Sequence, residues 1–456
     1  MTRFAPRRPL MHHFLGFVLL WSVSVSAGAA ARKPNIVFIL TDDMGYGDVG
    51  CYGGKFVPTP SIDRLAAEGT RFTQFYVASP VCSPSRTGFL TGTYPGRWKI
   101  TNYLQTRAGN RASEQADFLD PVAPSIARTL KAAGYVTGHF GKWHMGGGRD
   151  VTNAPPFSAY GFDEHASTWE SPEPDPALTA TNWIWSAHDR VKRWERTGYF
   201  VDRTLDFLKR HKGRPCYINL WPDDVHTPWV PEGSDLAKGR YPDNAASFKR
   251  VLAEYDKQIG RFLDGLKDLN LETNTIVIFS SDNGPLPTFN RARTGGLRGA
   301  KDSLYEGGIR EPLIVRWPGH IPAGGVDSKT VLMGIDFFPT FCQLAGTRPK
   351  NAAMDGEDMS RAFAGKPLER KAPIFWEYGR NETFGFPREY PGQRSPNVAM
   401  REGKWKLLVN ADASSTELYD IDSDPNETHN VAGDKPKIAK RMSEAALHWR
   451  RSLPSP

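Results

Sequence analysis

Asn35-Ile-Val-Phe-Ile-Leu-Thr-Asp-Asp43 is an unbroken β-branched and apolar run that stops on two carboxylates. A run that is apolar at every position predicts a strand buried on both faces, as in a parallel sheet. Two other stretches repeat the pattern. Thr275-Ile-Val-Ile-Phe279 leads into Ser280-Ser-Asp-Asn-Gly284, and Pro215-Cys-Tyr-Ile-Asn-Leu220 leads towards Asp223-Asp-Val-His226. Helical periodicities cover residues 61–68, 123–133, 200–211 and 245–269. Strands that alternate with helices imply an α/β fold, an open and mostly parallel sheet sandwiched by helices. Functional groups of such sheets gather at the carboxyl ends of the strands, where these polar clusters stand.

The chain has 456 residues, 39% hydrophobic and 24% charged, which excludes the disordered and membrane classes and leaves room for a large core. From about Pro373 the texture changes to short strand-like pieces at 374–378, 398–401 and 404–409, closed by a helical tail over 436–451. This predicts a catalytic α/β domain over 32–370 and a smaller C-terminal α+β subdomain over 371–456. Residues 146–196 are irregular and proline-bearing, with Trp169, Trp183, Trp185 and Trp194, and read as a loop region over the site.

Residues 1–31 read as an export signal: Arg3, Arg7 and Arg8, then an apolar run over 14–25, then small residues up to Ala31. The run is too short to span a bilayer, so the expectation is a periplasmic or secreted product without stable membrane insertion. Lys and Arg outnumber Asp and Glu by 58 to 50. The basic residues are scattered and form no track for a nucleic-acid backbone, which leaves a mild attraction for anions. Cys51, Cys82, Cys216 and Cys342 are too few and too widely spaced for a disulfide framework or a thiolate metal site. One cysteine is therefore free for chemistry.

Cys82-Ser-Pro-Ser-Arg86, followed by Leu90-Thr-Gly92, is the sharpest feature. Four fixed residues at fixed spacing arise by chance in roughly one chain of this length per thousand. They match the C-x-P-S-R…L-T-G signature, and the chain resembles the type I, formylglycine-dependent sulfatases, arylsulfatase-like members of the alkaline phosphatase superfamily. The resemblance runs from Pro34 to about Ala432. It passes through Gly141-Lys-Trp-His144, Val225-His-Thr-Pro228, Leu297-Arg-Gly-Ala-Lys301 and Tyr305-Glu-Gly-Gly-Ile-Arg310, and is weakest over 145–198.

The resemblance implies an alkaline-phosphatase-like sheet and a sulfuric ester hydrolase that acts on a sulfated small molecule or glycan. It implies that a formylglycine-generating maturation enzyme oxidises Cys82 to formylglycine (3-oxoalanine), whose gem-diol is the nucleophile. A helix start at position 82 would favour anions there, and Arg86, four residues on, would share its face. Asp42, Asp43, Asp282 and Asn283 read alone as caps or turn residues. With the signature, and with position 82, they become ligands for a hard cation, calcium by family resemblance with magnesium the alternative. Carried over by motif, Lys142 and Lys301 contact sulfate, His226 with Lys301 protonates the leaving oxygen, and His144 is the base that regenerates the aldehyde. In the weakly matching segment, His165 and Trp185 are the chosen sugar contacts. Two rivals stay open: a phosphonate monoester hydrolase or phosphodiesterase of the same superfamily, and a non-catalytic glycan-binding protein in which Cys82 is never converted.

Overall fold

The computed structural model describes residues 1–6, 32–178, 188–235, 244–349, 353–380 and 394–454. Most of the expected export signal, and Trp183 and Trp185, lie outside them. Fourteen strands form among the described residues. The first seven are β1 (Asn35–Thr41), β2 (Thr70–Phe72), β3 (Phe75–Tyr76), β4 (Val136–Gly141), β5 (Glu164–Ser167), β6 (Cys216–Trp221) and β7 (Thr275–Ser281). The others are β8 (Leu313–Arg316), β9 (Gly325–Asp327), β10 (Leu332–Met333), β11 (Ile374–Glu377), β12 (Val398–Glu402), β13 (Trp405–Val409) and β14 (Glu417–Asp420).

Eight of these strands make one sheet in the order β5-β4-β6-β1-β7-β8-β2-β9. The five from β5 to β7 are parallel, β8 alone runs against its neighbours, and β9 is parallel to β2. β1 is central and buried at all seven positions. Its alternate side chains enter two cores. Ile36 and Phe38 pack with Phe89, Phe337 and Phe341 on one face. Val37 and Ile39 pack with Phe200, Phe248 and Phe262 on the other. Each such side chain stabilises the fold by about 1.5–3 kcal/mol through burial, which is why the run lacks polar alternation.

Three of the four helical expectations lie within three residues of the observed ends, at Pro60–Ala67, Ile126–Ala132 and Ala245–Asp268. The fourth, Arg196–Arg210, starts four residues earlier than its apolar pattern. The smaller unit is an antiparallel sheet, β11-β12-β13-β14, covered by the helix Pro436–Ser452 through Met442 and Ala446. Among the described residues no helix is long and apolar enough to cross a membrane, and no disulfide joins the cysteines.

Candidate active site

The functional groups come from strand ends. Asp42 and Asp43 follow β1, Lys142 and His144 follow β4, His226 follows β6, and Asp282 and Asn283 follow β7. Parallel strands bring their carboxyl ends to one edge, so segments far apart in sequence converge. Opposite them, Cys82 opens the helix Cys82–Thr91, which ends at Gly92 in the left-handed conformation. Every residue of that helix is buried. Gly88 lets it approach closely, since a Cβ there would lie 2.7 Å from the Ala78 Cβ.

Arg86 ties the cluster together. Its Nε and Nη2 donate to Asp282 Oδ2 at 3.0 and 2.7 Å, Nη1 donates to the Lys142 carbonyl at 3.0 Å, and Asp42 Oδ1 is 3.4 Å away. Lys142 Nζ donates to Asp42 Oδ2 at 2.8 Å. Lys301 Nζ donates to both Asp43 oxygens at 2.7 Å and stands 3.4 Å from His226 Nε2. Thus three carboxylates (Asp42, Asp43, Asp282) face three cations (Arg86, Lys142, Lys301) in a nearly dry site, the arrangement in which buried charge is tolerated. Burial alone would raise the Asp42 and Asp43 carboxyls. The surrounding basic groups together, Lys142, His226, Arg86 and Lys301 for Asp42, and Lys301 and His226 for Asp43, outweigh it and hold both below the usual range. Burial pushes the Cys82 thiol up, so it stays protonated and is a poor nucleophile as it stands.

The two imidazoles are oriented by backbone carbonyls. His144 Nε2 lies 3.0 Å from the Leu104 carbonyl, while its buried Nδ1 has no hydrogen-bonding partner. The proton therefore belongs on Nε2, and Nδ1 is a bare acceptor. His226 Nδ1 lies 2.6 Å from the Thr227 carbonyl, which directs Nε2 towards Lys301 and Asp43. Burial lowers both to about 4. Asp43 and His144 hold left-handed φ angles of 58° and 54°, strain of the kind that persists where a site fixes the backbone.

The oxygens fit a hard cation. Asn283 Oδ1 and Asp42 Oδ1 are buried without hydrogen-bonding partners, and Asn283 Nδ2 donates to Asp43 Oδ1 at 2.8 Å. Ligand atoms of Asp42, Asp43 and His226 also lie within 4.8 Å of one another. Asp282 is more heavily committed, with Oδ1 accepting the Asp43 N–H and Oδ2 accepting Arg86.

Sequence reasoning singled out Cys82, Arg86, Lys142, His144, His226, Lys301, Asp42, Asp43, Asp282 and Asn283, and these are gathered. His165 is not with them: it stacks on Phe157 at 4.5 Å and lies 3.8 Å from Glu173, at the β5 edge. Trp185 lies outside the described residues. Several groups carried no signal. Glu170 stands 3.5 Å from His144 Nε2, and Arg193 donates to Asp223 and, at 3.0 Å, to the His226 carbonyl. Their roles depend on long-range packing, which spacing along the chain does not encode.

Paired carboxylates, lysines and oriented imidazoles at the carboxyl edge of such a sheet define a hydrolase of anionic esters with alkaline-phosphatase-like architecture. Residues 34–347 match the Sulfatase family profile, and residues 300–451 match that of N-sulphoglucosamine sulphohydrolase, C-terminal. The chain therefore belongs to the sulfatase family, as a type I sulfatase, and is a sulfuric ester hydrolase. It is 30% identical over 505 residues to the N-acetylgalactosamine-6-O-sulfatase of Bacteroides thetaiotaomicron, covering 91% of this chain and 93% of that protein. Human arylsulfatase A is 31% identical over 496 residues, covering 93% and 89%. A solved structure from work on glycosaminoglycan metabolism by Bacteroides thetaiotaomicron aligns with a TM-score of 0.74 at 26% identity, covering 92% of this chain and 100% of that one.

Proposed function

We propose that this sulfatase is exported, carries formylglycine at position 82 with a calcium ion beside it, and removes sulfate from a carbohydrate. The observation that carries the reading is that Lys142 and His144 after β4, His226 after β6 and Lys301 of the β7–β8 connection are gathered with Arg86 of Cys82's own helix around the Asp42–Asp43 pair. In this reading the catalytic region is 32–370 and the C-terminal unit 371–456, which the start of its sheet at Ile374 supports.

When present, the formylglycine hydrate supplies the nucleophilic oxygen and the cation neutralises charge on the sulfate oxygens. Asp42, Asp43, Asn283 and, more weakly, Asp282 would hold the ion, since a hard cation prefers oxygen to imidazole. That preference frees His226 for proton transfer. Lys142 and Lys301 bind the sulfate oxygens. His226 Nε2 and Lys301 Nζ, 3.4 Å apart, act as a pair. The Lys301 ammonium carries the proton that the departing oxygen needs, because an alkoxide leaves poorly, and His226 Nε2, unprotonated while Nδ1 holds its proton against the Thr227 carbonyl, positions that ammonium and relays the proton. His144 accepts a proton at Nδ1, the nitrogen that its Leu104 contact leaves bare.

Carbohydrate as the substrate rests on the relatives: N-acetylgalactosamine-6-O-sulfatase is the name of one of them. The test is release of sulfate, phosphate ester and phosphonate ester from matched aryl compounds, then a panel of defined sulfated saccharides. Sulfate ester is expected to turn over fastest; preference for the phosphonate or phosphate diester would overturn the proposal.

A further inference from the structure

The neighbourhood of the site holds a carboxylate without a role. Asp302 follows Lys301 with a left-handed φ of 66°. Its N–H donates to the Pro80 carbonyl at 3.0 Å, which pins it to the segment that presents position 82. Tyr103 and Tyr378 each lie close enough to feel both Asp302 and Cys82, so the carboxylate stands in the neighbourhood of position 82.

Aspartate tolerates this backbone region, but in a turn it normally spends its oxygens on nearby N–H groups. Asp302 instead accepts, at Oδ1, the hydroxyl of Tyr378 at 2.6 Å, 76 residues away and just past β11 of the C-terminal sheet. Among the described residues its other oxygen has no hydrogen-bonding partner. The neighbouring Lys301 ammonium is turned to Asp43. Asp302 is only partly buried, so this open carboxylate oxygen is reachable by a bound molecule and is an acceptor for a donor on it.

We infer that Asp302, held by Tyr378, is a specificity-determining residue that accepts a hydrogen bond from a hydroxyl or amide N–H of the leaving-group sugar. The inference rests on the carbohydrate reading above. Its direction follows from position: Lys301 and His226 serve the leaving oxygen, so the next residue meets whatever that oxygen was attached to. A bare aryl sulfate carries no such donor. A site built to bond a substrate hydroxyl discriminates strongly against an analogue without one, because its polar group is then left unpaired.

The experiment compares Asp302→Gly, which keeps the left-handed backbone, with Asp302→Asn, which keeps an acceptor oxygen, and with Tyr378→Phe. Substrates are 4-nitrophenyl sulfate and whichever of N-acetylgalactosamine 6-sulfate, galactose 6-sulfate and glucosamine 6-sulfate the unaltered enzyme cleaves fastest, with the deoxy analogues of that sugar. Asp302→Gly is expected to lower kcat/KM on the saccharide about 10–100-fold more than on the aryl sulfate, mainly through KM, with Asp302→Asn in between. One deoxy analogue should lose its dependence on residue 302. Equal losses on both substrates, with every deoxy analogue as sensitive as its parent, would overturn the inference and leave Asp302 structural. Failure of the unaltered enzyme on all three saccharides, with aryl sulfate still cleaved, would instead remove the carbohydrate reading and this inference with it.

Discussion

Cys82 is 3% exposed, inside a helix buried along its whole length. On the proposed reading, a maturation enzyme could not reach such a side chain without unfolding that helix, and conversion would have to precede folding. Protein folded without the maturation enzyme and then treated with it is expected to retain Cys82 and stay inactive, whereas the denatured chain is converted; mass spectrometry distinguishes the two. Arg86 is fully buried against Asp282 and Asp42. Its replacement in Arg86→Met leaves buried carboxylates uncompensated, at a cost of about 3–5 kcal/mol. The melting temperature should fall accordingly, and the loss should remain in protein carrying Cys82→Ala, where no catalysis takes part. His144→Ala has a different signature. It removes one proton acceptor, so kcat should drop about 10²–10⁴-fold while the fold stays intact by circular dichroism.

At the scale of elements, the site is a property of strand ends held in register. Gly141 closes β4 at φ 131°, and a Cβ there would lie 2.0 Å from the Trp221 carbonyl. Gly141→Ala therefore forces β4 from β6 and displaces Lys142 and His144 together; a loss of about 2–5 kcal/mol is expected in thermal unfolding. The ends of β1 and β7 supply the proposed calcium ligands. Calcium at one hundred times its dissociation constant should add about 2.7 kcal/mol of stability, and Asn283→Ala should shrink that gain. Calorimetry with and without chelator reads both.

β1, β6 and β7 were legible because burial on both faces demands unbroken apolar runs. β4 was not, since Thr137, Gly138 and His139 interrupt it, and His139 is accommodated by the rings of Trp143, Phe157, Phe162 and Trp221 and by Asn219, 3.5 Å from its Nδ1. β5 was hidden by Glu164 and His165, polar residues tolerated at an edge. The residues gathered at the strand ends were legible through motifs, whereas Asp302 and Glu170 depend on contacts between distant segments.

Across the whole molecule, the C-terminal sheet is fastened to the larger one by buried charge. Lys406 on β13 lies 2.9 Å from Glu306 and 2.9 Å from Glu427, all three fully shielded. Burial would raise the Glu306 carboxyl, but Lys406 and Arg310 outweigh it and hold it at about 2, below its ordinary 4.5. A carboxyl depressed in the folded state contributes stability above pH 4.5 that disappears as pH falls towards 2. Melting temperature should decline over that window, and Glu306→Gln should flatten this part of the decline at the expense of stability near neutrality.

The same C-terminal sheet sets Tyr378, just past β11, against Asp302 of the larger unit, so the two units share one structure. Everything proposed for this site depends on the chemistry of position 82. Mass spectrometry of the peptide spanning that position, from enzyme co-expressed with a maturation enzyme and active on a sulfate ester, is the direct measurement. A peptide lighter than the cysteine form that also traps a carbonyl reagent is the predicted result. Unmodified Cys82 in fully active enzyme, or undiminished activity in Cys82→Ala, would contradict it.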